Sequence, residues 1–279
     1  MEILAAIIGG IFVVLLPRWL DARKERKIEQ QQNHSHQTSK PVEQSIQLEQ
    51  PHIVQTDKRQ WWNQLDDTWK KIFKDAISID GEPTDNDLEK IVNLQTLSCT
   101  RNQISDLKPL EALRNLHELD CYWNDIKSLG PLRDLNNLHK LKCSRNQISD
   151  LKPLEALRNL HELDCYWNKI KSLGPLSALN KLQKLSCNKN EINDLEPIKA
   201  LTNLQELDCG KNKLQDKDLE QLCALTKLHK LSCQLNKISD LEPLRALTNL
   251  QELVCWNNQI SDSEINKFKK AVPKCEVNP

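Results

Sequence analysis

The sequence predicts an α/β repeat solenoid, with a curved parallel β-sheet on its concave side, 3₁₀ or extended segments on its convex side and a helical cap at each end. The first observation behind this prediction is the pattern Leu94-x-x-Leu97-x-Cys99-x-x-Asn102, which occurs eight times. The cysteines of the eight copies are Cys99, Cys121, Cys143, Cys165, Cys187, Cys209, Cys233 and Cys255, spaced 22 residues apart except for one step of 24. A fixed period of this length is typical of solenoids, whose units bury their apolar faces only by stacking.

The second observation is the alternation of apolar and polar residues inside each repeat. Leu97 and Cys99 alternate with Thr96 and Ser98, which is typical of a short strand with one buried face. The third observation is a proline on the return segment of most repeats, which excludes a regular helix there. These prolines are Pro109, Pro131, Pro153, Pro175, Pro197 and Pro243.

The asparagine that follows each strand predicts a buried polar ladder, because its amide can bond to the backbone of neighbouring turns. The ladder would consist of Asn102, Asn124, Asn146, Asn168, Asn190, Asn212, Asn236 and Asn258. One repeat is two residues longer and lacks the proline. Its leucines, from Leu214 to Leu225, predict a short helix on the convex side.

The repeat resembles that of the leucine-rich repeat family, with cysteine in place of the usual third leucine. Its length of 22 residues and the run Asp106-Leu107-x-Pro109-Leu110 resemble the short subclass found in bacterial internalins and in a eukaryotic phosphatase-regulatory subunit. The resemblance covers about residues 85–277. It implies the solenoid fold strongly and an activity weakly, because one fold hosts many functions.

Composition excludes several functional classes. The chain has 279 residues and a formal net charge of zero, whereas a protein that binds nucleic acid needs a basic surface. Eight of the ten cysteines share one inward column, so we interpret them as small core residues in a reducing compartment rather than as disulfides or metal ligands. Three of the four histidines that follow the first leucine of a repeat would stack in consecutive coils, which we interpret as a surface ladder. We expect no metal and no cofactor.

The N-terminal part predicts a membrane attachment. Residues 1–20 hold an unbroken apolar run, Ile3 to Leu16, and basic residues such as Arg23 and Lys24 follow it. We interpret 1–20 as a transmembrane anchor and 21–58 as a basic, disordered polar linker, which would keep the repeats cytoplasmic. The alternative is that the apolar run is an export signal.

Helical caps are predicted at both ends of the array. Residues 59–93 form the N-terminal cap, with Trp61 to Ile77 on one helix that Gly81 ends, and a second helix from Thr84 or Asp85. The eight repeats span 94–258. Residues 259–279 form the C-terminal cap, whose helix carries Ile265, Phe268 and Val272. Such caps cover the open ends of a solenoid.

The polar strand positions form columns across the repeats. The first column alternates acid and base, from Glu118 and Lys140 to Lys230 and Glu252, which favours a role in strand register. The columns after the cysteine are rich in aromatic and cationic residues, the types that dominate binding hot spots. The candidate partner-binding residues are Arg101, Tyr122, Trp123, Arg145, Tyr166, Trp167, Lys189 and Trp256.

The function favoured by these patterns is a membrane-anchored scaffold that binds a protein or peptide on its concave face. An exported internalin-like recognition or adhesion protein is the alternative, and a subunit that regulates an enzyme in trans is a further one. No phosphate-binding glycine loop and no hydrolase or metalloprotease motif occurs in the sequence, so we expect no enzyme. We expect a monomer.

Overall fold

The structure is a computed structural model that describes residues 55–279. Its framework is a nine-stranded parallel sheet in which the strands follow one another in chain order. The strands are β1 (Thr96–Ser98), β2 (Glu118–Asp120), β3 (Lys140–Lys142), β4 (Glu162–Asp164), β5 (Lys184–Ser186), β6 (Glu206–Asp208), β7 (Lys230–Ser232), β8 (Glu252–Val254) and β9 (Glu276–Asn278). Each coil therefore adds one strand, as the repeat predicts.

The register of the sheet aligns equivalent residues of successive repeats. Leu97 pairs with Leu119, and Thr96 pairs with Glu118, and the same alignment continues to β8. The middle leucine of each of these strands is buried, while its neighbours are exposed or half-buried except for Ser232, which is buried. The last strand, β9, comes from the C-terminal cap and pairs with β8 in parallel. The sequence pattern did not predict this ninth strand.

The side opposite the sheet consists mainly of short 3₁₀ helices, which confirms the prediction from the prolines. They span Lys108–Ala112, Gly130–Leu132, Lys152–Leu154, Gly174–Leu176, Glu196–Ile198, Glu220–Leu222 and Glu242–Ala246. Six of the seven carry the proline in their first turn, where its missing N–H costs nothing. At the start of each of these six helices, the backbone N–H of the first residue donates a hydrogen bond to a side-chain oxygen two positions before it. Lys108 N, for example, donates to Asp106 Oδ1 at 2.9 Å.

The core is a stack of leucines and isoleucines closed on the sheet side by cysteines. All eight column cysteines are buried, and all ten cysteines of the chain are free thiols. Burial away from water raises the pKa of Cys99 to about 12 and that of Cys143 well above its ordinary value. These thiols are therefore protonated packing groups, as the interpretation of the column as core expects.

The asparagine ladder is present and binds the coils together through backbone groups. Asn146 donates from Nδ2 to the carbonyls of Cys121 and Cys143, both at 3.0 Å. Its Oδ1 accepts from the backbone N–H of Ile126 at 3.0 Å. One side chain thus satisfies polar groups in its own coil and in the preceding coil, which a buried turn requires.

The N-terminal cap has three helices where the sequence predicted two. They are α1 (Gln55–Asn63), α2 (Asp67–Ile77) and α3 (Asp85–Val92). The prediction of one helix from Trp61 to Ile77 is wrong, because Asp66 accepts from Trp69 N and begins a new helix there.

The ends of the cap helices correct two further boundaries. Ser78, with φ of 57°, ends α2 in the left-handed conformation, so Gly81 is not the residue that stops it. The start of α1 at Gln55 makes the last residues of the predicted linker 21–58 helical. Thr84 caps α3 with a reciprocal bond to Asp87, as expected at that position.

The longer repeat and the C-terminal cap contain the remaining helices. The predicted convex helix in the longer repeat is α4 (Asp216–Leu219), which continues as a 3₁₀ turn to Leu222. Cys223 follows it, half-buried, and its thiol donates to the carbonyl of Pro243 at 3.2 Å. The final helix, α5 (Asp262–Ala271), is tied to the array by an ion pair between Glu264 and Arg245 at 2.6 Å.

The predicted anchor 1–20 and nearly all of the linker 21–58 lie outside the described residues. Within residues 55–279, no helix is long and apolar enough to span a bilayer.

Candidate partner-binding site: the arginine–tryptophan ladder

The site begins where each strand ends, two residues after the column cysteine. The residue at this position has a left-handed backbone in every repeat, with φ between 49° and 59°. These residues are Arg101, Trp123, Arg145, Trp167, Lys189, Lys211, Leu235 and Asn257. We call this column the rim. The prediction that these residues lie within the strands is wrong, because each strand ends three residues earlier and the rim residue lies in the left-handed turn that follows.

The left-handed turn is stabilised by contacts between coils. Such a backbone conformation costs about 1–2 kcal/mol for a residue with a side chain. The backbone N–H of Arg101 donates to the carbonyl of Tyr122 at 3.0 Å, and that of Trp123 donates to Ser144 at 2.9 Å. These bonds continue the hydrogen-bonding pattern of the sheet past the ends of the strands. The rim residues are therefore held at the spacing of the strands themselves.

Cations and rings alternate along the first part of the rim. The guanidinium carbon of Arg145 lies 5.1 Å from the ring centroid of Trp123 and 4.5 Å from that of Trp167. Arg101 lies 5.0 Å from the Trp123 ring, and the ammonium of Lys189 lies over the Trp167 ring. Contacts of this kind contribute roughly 0.5–1 kcal/mol each at exposed sites. The alternation orders five successive side chains.

The two tyrosines lie beside the ladder on the sheet side. Tyr122 meets the Trp123 ring at 6.1 Å in an edge-on arrangement, and Tyr166 meets Trp167 at 6.0 Å. Arg145 donates weakly to the hydroxyl of Tyr166 at 3.4 Å. Both tyrosines are half-buried, whereas Trp123 is 50% exposed and Trp167 is 41% exposed. The tyrosines therefore support the ladder, and the tryptophans present it to solvent.

A shallow groove of about 540 Å³ runs along the ladder. Its other wall contains residues that the sequence analysis did not select, namely Gln103, Asp125 and Gln147, which follow the ladder asparagines. Gln147 donates from Nε2 to Asp125 Oδ1 at 3.1 Å. Each of them lies one position after the asparagine of its repeat, and this regular position could have identified them from the sequence.

The cations of the rim have no carboxylate partner within residues 55–279. No ion pair involves Arg101, Arg145, Lys189 or Lys211 in this part of the chain. Desolvation lowers the pKa of Lys189, and the like charges of Lys211 and Arg145 lower it further. The Nε of Arg145 is buried and has no hydrogen-bond partner. The cations of the rim therefore form no ion pair in this part of the chain, and the one carboxylate that lines their groove is that of Asp125.

On the face of the sheet, by contrast, lysine and glutamate side chains of neighbouring strands neutralise one another. Lys140 bonds to Glu162 at 2.7 Å, and Lys230 bonds to Glu252 at 2.8 Å. The hydrogen bond to its glutamate raises the pKa of Lys140 above its ordinary value. In the next column, Ser144 and Asn188 donate to Asp164 and Asp208. Three lysine–glutamate pairs thus neutralise much of the first column of the sheet face.

The structure brings seven of the eight predicted site residues together. Trp256 is the exception, because it lies at the end of β8, several coils beyond Trp167 and away from the cations of the ladder. The predicted histidine ladder is also present, with ring centroids of His117 and His139 5.1 Å apart. In residues 55–279, histidine, cysteine and carboxylate side chains form no group that could hold a metal ion. Nothing along the rim resembles a nucleophile activated by a base.

Stacked parallel strands, 3₁₀ returns, an asparagine ladder and two caps define a leucine-rich repeat solenoid. A family model for leucine-rich repeats in two copies matches residues 92–136, 116–156, 136–181, 180–224 and 226–268, more than half of the chain. The chain therefore belongs to the leucine-rich repeat family. This is a protein-interaction fold, generally without enzymatic activity.

Solved structures place the repeats in the internalin-like type. Internalin C2 of Listeria monocytogenes is 31% identical, with a TM-score of 0.69, over 76% of this chain and 92% of that chain. Internalin F of the same organism is 24% identical, with a TM-score of 0.64, over 79% and 69%. The functional domain of InlJ from Listeria monocytogenes, described as including a cysteine ladder, is 22% identical, with a TM-score of 0.54, over 79% and 55%. No curated protein matches the sequence.

Proposed function

We propose that the protein is a recognition scaffold that binds a protein or peptide partner along the rim, centred on Arg101, Trp123, Arg145 and Trp167. The observation that carries this proposal is the exposure of these tryptophans. Among residues 55–279, the large hydrophobic side chains that are exposed are Trp123, Trp167 and Trp256, and two of the three lie in the ladder. Tryptophan and arginine are the residue types that contribute most to binding hot spots.

Preorganisation supports the same assignment. An interface side chain loses roughly 0.5–1.5 kcal/mol of rotamer freedom when a partner immobilises it. The ladder has already immobilised Trp123, Arg145 and Trp167 by stacking them on one another. A partner would therefore gain contact area with three large side chains and lose little of this freedom. The paired charges of the sheet face offer no comparable gain.

The test is affinity capture with the full chain and two matched variants. Trp123→Ala with Trp167→Ala removes the ladder rings, while Trp256→Ala removes a tryptophan of equal exposure, 41%, outside the ladder. We expect the double variant to weaken partner binding at least ~30-fold, because a hot-spot residue contributes about 2 kcal/mol or more. The Trp256→Ala variant should bind as the wild type does.

The far-UV circular dichroism of all variants should stay the same, since the rings lie outside the core. Equal capture by the wild type and the double variant would exclude the rim as the binding site. Loss of capture by Trp256→Ala alone would move the site to the end of the array.

The cellular side of the proposal concerns the N-terminal segment. We propose that residues 1–20 anchor the scaffold in a membrane, with the repeats on the cytoplasmic side. The ten free thiols support this side, since buried unpaired cysteines suit a reducing compartment. The similarity to internalin C2 favours the second candidate, an exported recognition protein. A reporter fused after residue 58 separates the two, because alkaline phosphatase is active only after export, whereas a fluorescent protein reports the cytoplasm.

A further inference from the structure

The ladder consists of two identical half-sites. Residues 101–124 and 145–168 have the same sequence, so each half-site contains an arginine, a tyrosine and a tryptophan in the same order. The first is Arg101 with Tyr122 and Trp123, and the second is Arg145 with Tyr166 and Trp167. Lys189 adds a third cation at the same interval along the rim. A surface that repeats by translation fits a ligand that repeats with the same period.

The period of the rim follows from the backbone. Equivalent cations are separated by two coils, and backbone hydrogen bonds of 2.8–3.0 Å join successive coils at Arg101, Trp123, Arg145 and Trp167. Neighbouring strands of a sheet lie about 4.8 Å apart. The cations Arg101, Arg145 and Lys189 therefore recur about every 9.6 Å along the rim.

The charge of the rim indicates the chemistry of the ligand. Its cations have no carboxylate partner within the described residues, and Arg145 has a buried Nε without an acceptor. The Arg145 guanidinium lies between the rings of Trp123 and Trp167, which limits its movement. A fixed guanidinium binds a carboxylate through two parallel N–H bonds with little further ordering. The complementary ligand thus carries carboxylates about 9.6 Å apart.

One backbone conformation of a peptide has nearly this period. A polyproline II helix has three residues per turn and rises about 3.1 Å per residue, so its side chains repeat every ~9.3 Å on one side. A β-strand repeats on one face every two residues, at about 6.6–6.8 Å. An added strand is also disfavoured here, because the backbone N–H groups of Trp123 and Trp167 already bond to Ser144 and Asn188.

We propose that the rim recognises an acidic, proline-rich segment in the polyproline II conformation, with a carboxylate at every third residue. This inference rests on the proposed function and names the class of its partner. The carboxylates bind Arg101, Arg145 and Lys189. The proline rings between them pack against the exposed edges of Trp123 and Trp167, because the cations already cover the faces of these rings. Aromatic grooves bind polyproline II segments in this way because that helix is ordered before it binds.

The test measures fluorescence anisotropy of labelled peptides with the full chain at low and at physiological salt. Three peptides of equal length carry four glutamates in a proline background, spaced by two, three or four residues. A fourth peptide replaces the glutamates of the three-residue repeat with lysines. We expect the three-residue glutamate repeat to bind at least ~10-fold more tightly than the other three, the difference that about 1.4 kcal/mol produces.

The rim itself offers a matched control for the period. Lys189 lies in phase with Arg101 and Arg145, whereas Lys211 lies one coil further and out of phase. Arg145→Gln and Lys189→Gln should each weaken the binding of the three-residue repeat about 10-fold, the loss of one charge-assisted pair. Lys211→Gln, which removes the same charge, should change it less than about 2-fold, since screening at physiological salt limits a charge without contact.

Three outcomes would each overturn the inference. They are equal binding of the two-, three- and four-residue repeats, binding of the lysine repeat, and no binding of any peptide. The proposed function fails separately, when Trp123→Ala with Trp167→Ala still captures the partner. Loss of capture by that variant together with indifference to peptide spacing would reject the acidic repeat and leave the rim as the binding site.

Discussion

The first and second halves of the repeat array share one core and differ at the rim. In both halves the column cysteines and leucines are buried, the strands pair in the same register, and a lysine pairs with a glutamate on the sheet face. The rim contains alternating cations and tryptophans in the first half. In the second half it contains Lys189, Lys211, Leu235 and Asn257. The fold therefore accommodates each of these side chains at the rim, and it does not depend on the alternation of cations and tryptophans.

The tyrosine position shows the same difference. Where the first half has Tyr122 and Tyr166, the second half has Gly210 and, at the end of the array, Trp256. The side chain of Gln234 from the next coil occupies the space above Gly210. A Cβ at Gly210 would lie 2.5 Å from that side chain. The second half thus has one aromatic residue in this column, Trp256, and its neighbour on the rim is Asn257 and not a tryptophan.

The rim also affects the burial of the asparagine ladder. Asn124, Asn146 and Asn168 are buried, with 6–8% exposure, whereas Asn102 at the start of the array and the asparagines from Asn190 onward are half-buried. Trp123 and Arg145 line the groove together with Asn124 and Asn146. The ladder side chains cover the asparagines behind them, so the candidate binding surface also excludes water from part of the structure.

Alkaline pH should produce the largest effect, because it acts on the core that both halves share. Burial raises the pKa of Cys143, Cys187 and Cys209 well above the ordinary value of 9.0. The unfolded chain releases these protons near pH 9 while the folded chain keeps them, so stability is full below pH 9 and falls above it. Each thiol lowers the free energy of unfolding by about 1.4 kcal/mol per pH unit there.

Urea unfolding followed by circular dichroism between pH 7 and 11 measures this slope. Cys143→Ala and Cys209→Ala, one from each half, should each reduce the slope by about 1.4 kcal/mol per pH unit. Cys275→Ala should do so only up to about pH 11, since burial raises the pKa of Cys275 to about 11. Unequal slopes for Cys143→Ala and Cys209→Ala would show that the cores of the two halves differ. Constant stability to pH 11 would show that the thiols do not keep their protons in the folded chain.

Removal of one ladder asparagine should give the next largest effect and should differ between the halves. Asn146→Ala leaves the carbonyls of Cys121 and Cys143 and the N–H of Ile126 without their partner. We expect a loss of about 3 kcal/mol, because buried polar groups without partners cost about 1–3 kcal/mol each.

The matched variant Asn236→Ala lies in the half without the aromatic ladder. Asn236 bonds to the carbonyls of Cys209 and Cys233 at 3.2 and 2.9 Å, but it is only half-buried. Water can replace part of these bonds, so we expect a loss of about 1 kcal/mol. Chemical denaturation gives both values, and equal losses would contradict the covering role of the rim.

The repeat allowed most of the fold to be predicted, because every coil faces the same packing problem. The alternation around Leu97 and Cys99, the turn asparagines and the prolines each occur often enough to exclude other interpretations. The caps were less predictable, because they occur once. A single continuous apolar face from Trp61 to Ile77 concealed the helix start that Asp66 creates.

The position of the rim could not be predicted from its composition. Tryptophan and arginine have no preference for a left-handed backbone, and hydrogen bonds between coils impose that conformation on Trp123 and Arg145. Asn257 was the one signal in this column, since asparagine tolerates this conformation better than most residues. The sequence therefore identified seven clustered residues, but it assigned them to the strands and not to the turns that follow the strands.

The charge column of the sheet should give the smallest effect and should not distinguish the halves. Lys140→Ala removes the pair with Glu162 in the first half, and Lys230→Ala removes the pair with Glu252 in the second. The side chains of both pairs are about one-third to one-half exposed, so solvent screens them and each variant should lose less than ~1 kcal/mol. Unfolding in about 0.05 M and 1 M salt should show the loss shrinking as the Debye length falls to about 3 Å. A salt-resistant loss at Lys140 alone would mean that the pairs beside the ladder hold the rim in place, and the two halves would then differ at the sheet face as well.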